Sequence, residues 1–262
     1  MLRFVLLLNA LLFACGLEIS HALPARVQAP APLARLAVPC MLAAVDEAAA
    51  ATASAALQAE IVKPLRSIAA ITGLIATLEA ATPPAKPKKA VLGDWKLTFA
   101  SDEAAVKPFT TDAANGPFTV LEEVYHRVLT GDAVQSIEVV RKIGPFGNSA
   151  SALCGKWSVS GGSSKKGDTP EPAALTWRVT YRIDERGREV DPPKGLSTNH
   201  AAVVTHASTE LLVMRINTVY GEGASSPSYV VFTKLPKGAI LKALTDELSV
   251  YGPENYLMGT PR

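Results

Sequence analysis

Between positions 175 and 183 the chain alternates without a fault: Leu175, Trp177, Val179, Tyr181 and Ile183 are interleaved with Thr176, Arg178, Thr180 and Arg182. Successive side chains of a strand point to opposite faces, so this run fits a strand with one face on a core and the other in water. Seven further stretches carry the same period or a β-branched and aromatic bias, at 95–101, 118–128, 134–143, 153–160, 201–205, 211–216 and 229–234. Turn signals separate them: Asn115-Gly116-Pro117, Gly131-Asp132, Gly144-Pro145, Gly147-Asn148, and polar loops at 161–172, 191–195 and 221–227. No helix-length segment intervenes. The expectation is therefore a mainly β chain whose antiparallel strands form a barrel or a sandwich, with closure favoured because it removes exposed edges.

Helical patterns flank the strands. Residues 41–61 are rich in Ala with Asp46 and Glu47 early, which favours a helix of low apolar bulk. Leu65, Ile68, Ile71, Ile75 and Leu78 then fall three or four apart and predict one apolar stripe on a second helix, with Pro64 among its early residues. Pro83, Pro84 and Pro87 break the chain before Trp95. At the other end, Ile240, Leu241, Leu244 and Leu248 predict a short amphipathic helix over 237–250, followed by an irregular tail.

The first residues read as address labels. Arg3 precedes an apolar run from Phe4 to Leu17, and Ser20-His21-Ala22 offers small residues for cleavage, so 1–22 reads as a signal peptide. The run is short of the roughly 20 apolar residues a membrane-spanning helix needs. Residues 23–40 are basic, Ala-rich and free of acid, the composition of a transit segment. Together they match the two-part presequence of an algal plastid protein; a secreted protein with a flexible linker is the alternative. The remaining organisation is 41–82 helical, 90–235 barrel, and 236–262 helix and tail. The formal charge of +2 rests on arginines of the first forty residues, so the rest is near neutral, a poor match to a nucleic-acid binder. Lys86, Lys88 and Lys89 read as a solvated spacer. Beyond the leader only Cys154 remains as a certain thiol, which excludes an internal disulfide framework.

Motifs for chemistry are sparse. Gly162-Ser-Ser-Lys-Lys-Gly167 lacks the Lys-Ser/Thr of a phosphate loop. His126, His200 and His206 stand at no recognised zinc spacing, so no metal and no cofactor are expected. Glu122, Glu123, Tyr125 and His126 lie side by side in a strand, where neighbours diverge. Cys154 has no adjoining His or Lys to activate it, and there is no nucleophile elbow; no catalytic residue is nominated.

A resemblance extends this reading. Ile71-Thr-Gly-Leu-Ile-Ala-Thr-Leu-Glu79, a Pro-rich break, and Leu92-Gly-x-Trp-x-Leu-x-Phe-x-Ser101 resemble the opening of the plastid lipid-associated protein family, also called fibrillins or plastoglobulins. Glu210-Leu-Leu-Val-Met-Arg215, a loop, and Tyr229-Val-Val-Phe-Thr-Lys234 resemble its closing strand pair. The motif positions are Gly93, Trp95, Ser101, Glu210 and Arg215. Ser208 and Leu212 stand where the family often has an acidic and a basic residue, which puts that polar pair in doubt. The resemblance implies a lipocalin-like antiparallel barrel after N-terminal helices, holding lipids, quinones or carotenoids non-enzymatically at a thylakoid or plastoglobule surface in a chloroplast.

Inward faces carrying Trp95, Leu97, Phe99, Trp177, Val179 and Tyr181 would line such a barrel, either against a ligand or simply as packed core. Two other functions stay open. One is a ligand-free scaffold that docks to a thylakoid complex through its helices; the other is a lipocalin-type enzyme acting on isoprenoids.

Overall fold

The computed structural model describes residues 47–80, 87–111, 116, 118–143, 147–161, 173–192, 194–216, 227–248 and 252–258. The expected leader, residues 41–46 of the first helical segment and most of the 161–172 and 221–227 loops lie outside the described residues. Nine strands follow one another: β1 Gly93–Ala100, β2 Thr119–Val128, β3 Ala133–Lys142, β4 Asn148–Ser160, β5 Ala173–Ile183, β6 Glu189–Val190, β7 Asn199–Ala207, β8 Leu211–Ile216 and β9 Ser228–Lys234. Their hydrogen-bonded order is β4-β3-β2-β1-β9-β8-β7-β5, and β4 pairs with β5 to shut the ring, while β6 adds a short flap on β5. The chain is thus a closed antiparallel barrel of eight strands, as the alternation and turns predict.

Two helical layers cover its outside. Helices α1 (Glu47–Ile61) and α2 (Ile68–Ala80) pack Leu57, Ile61, Ile71, Ile75 and Leu78 onto Phe99, Leu211, Val213 and Val231 of β1, β8 and β9. A one-turn helix, α3 (Pro87–Ala90), leads into β1, and another, α4 (Glu103–Val106), follows it. Helix α5 (Ala239–Glu247) sets Ile240 and Leu244 against Tyr125, Ile137, Val139 and Cys154.

Three expectations need correction here. The stripe of the second helix does not begin at Leu65: Val62, Leu65 and Ile68 are 60–91% exposed in and just after the turn between α1 and α2. The helix starts late because Ser67 caps it, its Oγ accepting from the Ala70 amide at 3.2 Å, while Glu60 accepts from the Ser67 amide. That leaves Pro64 in the connection. At the chain's other end, Leu241 is outward, and the tail is not irregular throughout, since a 3-10 turn at Pro253–Tyr256 buries Tyr256.

Bulges decide which residues face the barrel interior. On β1, Leu97 opposes Phe232 and Phe99 opposes Val231, so Thr98 is an extra residue and the parity of the strand reverses after it. The same device acts on β5, where Cys154 opposes Tyr181 and Gly155 opposes Val179, leaving Thr180 over, and on β7, where Thr205 is the extra residue. In all three the surplus residue is a threonine whose hydroxyl finds its own acceptor: the Val231 carbonyl, the Cys154 carbonyl and Glu79 Oε1 respectively. On β2 the extra residue is Glu122.

Candidate functional site

Inside the ring lie Trp95, Val124, Val128, Val134, Trp157, Leu175, Trp177, Ala202, Val204, Leu212, Met214, Val230 and Phe232. Of the residues expected to line it, Trp95 and Trp177 are buried there, Leu97 packs against them, and Val179 shares their face by alternation. Phe99 and Tyr181 do not. The surplus Thr98 turns Phe99 out under α2, and the surplus Thr180 turns Tyr181 out beside Cys154 and α5. Strict alternation misplaces both because one inserted residue inverts every side chain beyond it.

At one end of the barrel Trp95 is fixed by its Nε1–H donating to the Val91 carbonyl at 2.9 Å, and the Lys234 ammonium sits 4.0 Å from its ring centroid. Lys234 also donates to the Leu92 carbonyl, and burial pulls its pKa below the usual value. Gly93, at φ +134°, makes room: a Cβ there would lie 2.0 Å from Lys234 Nζ. Two other motif residues tie neighbouring elements together. Ser101 Oγ accepts from the Tyr229 amide and donates to Asp102, and Arg215 pairs across 3.7 Å with Glu79 of α2. Glu210 stays exposed at the β7–β8 turn, where Gln58 reaches it at 3.4 Å.

From the opposite end a segment sequence reasoning left unassigned folds back into the ring. Asp102 caps α4 by accepting from the Ala105 amide at 2.9 Å, and a 3-10 turn at Lys107–Phe109 then drives Phe109, wholly buried, into the middle of the barrel. Its ring stacks on Trp177 at 5.3 Å and meets His126 and Phe232 edge-on at 5.1 and 5.2 Å. Beyond Trp177, His200 stacks at 5.3 Å.

The middle of the barrel also holds polar groups. His126 is wholly buried; its Nδ1 shares a hydrogen with Ser136 Oγ at 2.9 Å, while Nε2 has no partner among the described residues. Burial alone pushes its pKa down to about 3, so the imidazole is neutral. The Trp177 Nε1–H is likewise buried without an acceptor among the described residues. Glu138, buried on β3, accepts from Thr111 and from Ser151 Oγ at 2.5 Å, which ties the entering segment to the wall. These interior polar positions were legible in part, since Ser136 and Glu138 keep step with Val134 and Val140; Phe109 carries no such signal.

Cys154 is buried outside the ring, and burial pushes its thiol up to about 11. Glu123 accepts from Lys96 and Tyr125 on the outer face. No group of three or more possible metal ligands occurs among the described residues, and no described helix is long and apolar enough to cross a membrane.

The fold and its interior define a closed eight-stranded barrel with an aromatic, partly polar centre entered from one end by its own Phe109. Comparison with protein-family models finds no match, and comparison with curated proteins finds none either.

Proposed function

We propose that this chain is a non-enzymatic plastid lipid-associated protein that holds one small apolar molecule, of lipid or isoprenoid class, within or at the mouth of its barrel. The observation that carries the reading is the pairing of an apolar, aromatic interior with an exposed apolar patch at one end of the barrel. Phe118, Val120 and Ile143 are 41–74% exposed where β2 begins and β3 ends, the same end at which Phe109 enters. An apolar patch left in water beside the end of the barrel is a place where an apolar molecule can dock. The fibrillin-like motifs at both ends of the barrel and the basic leader are what favour a plastid and a thylakoid or plastoglobule surface.

The test is native purification followed by mass spectrometry of co-purifying small molecules, with fractionation of the source cells. The expected result is one apolar species near unit stoichiometry, released on unfolding, with the protein in plastid membranes or lipid bodies. Material that carries no small molecule and takes up none when offered lipid would refute the proposal.

A second reading, a scaffold docking to a membrane complex, draws on Val62, Leu65 and Ile68 at the α1–α2 turn. In that case the helical turn, and not the apolar patch, would be protected from solvent in the native assembly.

A further inference from the structure

One seam of the barrel is hydrogen-bonded along only part of its length. β1 and β2 pair from Gly93–Val128 to Lys96–Tyr125, and there they part. Beyond that point β1 stays with β9 as far as Ala100, while β2 stays with β3 as far as Thr119. Residues 120–124 therefore present an edge of β2 that no strand meets among the described residues. The bulge at Glu122 falls inside this length, and a bulge bends its strand, which lets two neighbours separate.

The two sides of the seam are finished differently. Where β1 leaves, the Thr98 carbonyl accepts from Arg66 at 3.0 Å, so the α1–α2 turn answers that side. No described side chain does the same for the main chain of residues 120–124. An unpaired row of N–H and C=O groups is a template for another extended chain, and native proteins usually blunt it with charge, proline, a bulge or a cover. The bulge is one such device, but apolar residues stand beside it in water. Phe118, Val120 and Ile143 are 74, 41 and 61% exposed, and the Ile143 amide donates to the Phe118 carbonyl, which holds the three together.

Charge narrows what fits. Glu122 and Glu123 both lie on the edge. Glu123 accepts from Lys96 and Tyr125, while the Glu122 side chain stays 35% exposed beside Arg141, 3.2 Å away. A second copy of β2 laid antiparallel would bring these carboxylates alongside their own counterparts, which disfavours self-pairing. A strand carrying lysine or arginine meets them with the opposite sign.

We propose that the open edge of β2 at residues 120–124 is a docking site for an extended, basic segment of another protein with apolar side chains at alternate positions. The incoming strand takes its main-chain bonds from β2, lays its apolar side chains on Phe118, Val120 and Ile143, and sets a cation beside Glu122. The inference goes beyond the holding function and does not depend on it, since a small apolar molecule can rest on the patch without using the edge.

The probe is a blocked synthetic peptide that alternates valine with lysine. One control is the same sequence N-methylated at every residue, which keeps the side chains and removes every main-chain donor; the other replaces lysine by aspartate. Binding to the full chain is followed by NMR titration, with amide hydrogen exchange reporting the location. The valine–lysine peptide should bind and slow exchange in residues 120–124. N-methylation should weaken it about tenfold or more, the value of one or two main-chain bonds, and aspartate should weaken it as well. Val120→Lys should weaken it by a similar factor with the urea midpoint nearly unchanged, because that position is exposed.

Equal binding by the N-methylated peptide would reduce the edge to a plain apolar patch and overturn strand addition, with the holding function untouched. Preference for the aspartate peptide would overturn the choice of a basic partner. No binding at millimolar peptide, or protection away from residues 120–124, would overturn the site itself. Should Val120→Lys not fold, Phe118→Ser supplies the same comparison at a more exposed position.

Discussion

His126 makes the stability of the barrel depend on pH in a way that can be isolated. Its folded pKa lies near 3, against 6.5 for the unfolded chain, and the cause is burial. A histidine with a depressed folded pKa takes up its proton only on unfolding. It therefore adds nothing to pH dependence above the unfolded value and draws stability away as pH falls from 6.5 toward 3. Each pH unit inside that window is worth about 1.4 kcal/mol, so lowering the pH from 7.5 to 5.0 should cost about 2 kcal/mol through this residue alone. That is a large share of the roughly 5–15 kcal/mol a domain has to lose. Gln in its place does not titrate and can still bond Ser136. Urea unfolding of wild type and His126→Gln at the two pH values cancels the carboxylates common to both, and the wild type should lose about 2 kcal/mol more than the variant. Parallel losses in the two proteins would show that the imidazole is hydrated, and the burial that keeps it neutral would not hold.

Other perturbations test separate parts of the architecture. Gly155→Ala places a Cβ 1.9 Å from the Arg178 carbonyl across the β4–β5 seam, so the strands must part, and a loss of about 2–3 kcal/mol in urea unfolding is expected. Glu79→Gln removes the charge that Arg215 pairs with and weakens the acceptor for Tyr229 and Thr205, loosening α2 from β8 and β9; about 1–2 kcal/mol should be lost, with faster amide exchange in α2. Replacing Val62, Leu65 and Ile68 together by Ser should leave stability within about 0.5 kcal/mol, because all three face water, while reducing flotation with lipid vesicles if the helical turn is the membrane contact.

Much of the barrel was readable because β structure writes itself in period two. The run at 175–183 coincides with most of β5, and each expected strand has its counterpart, though β4 begins earlier than Leu153 and β7 extends past both expected ends. What could not be read is where that period slips. Thr98, Thr180 and Thr205 are ordinary strand residues by propensity. Only pairing with a neighbour, a relation between distant segments, makes them surplus. The misplacement of Phe99 and Tyr181 follows directly. Leu65 failed for a different reason: a stripe at helical spacing records which residues could share a face, and the cap at Ser67 determines where the helix begins, while Ile68 lies in its first turn and faces water. Phe109 was invisible because a single aromatic in a 3-10 turn has no periodicity, and its importance comes entirely from the barrel interior it meets.

In chain order the ring joins its first strand to its last, β1 against β9. From the moment residues 93–100 emerge during synthesis until residues 228–234 follow, β1 has one bare edge, and no shorter product can cover it. A chain that stops before Ser228 therefore exposes β1 and β8 as templates for a neighbour's strand. Premature termination in this protein should accumulate as sticky intermolecular sheet, with no smaller working barrel among the products.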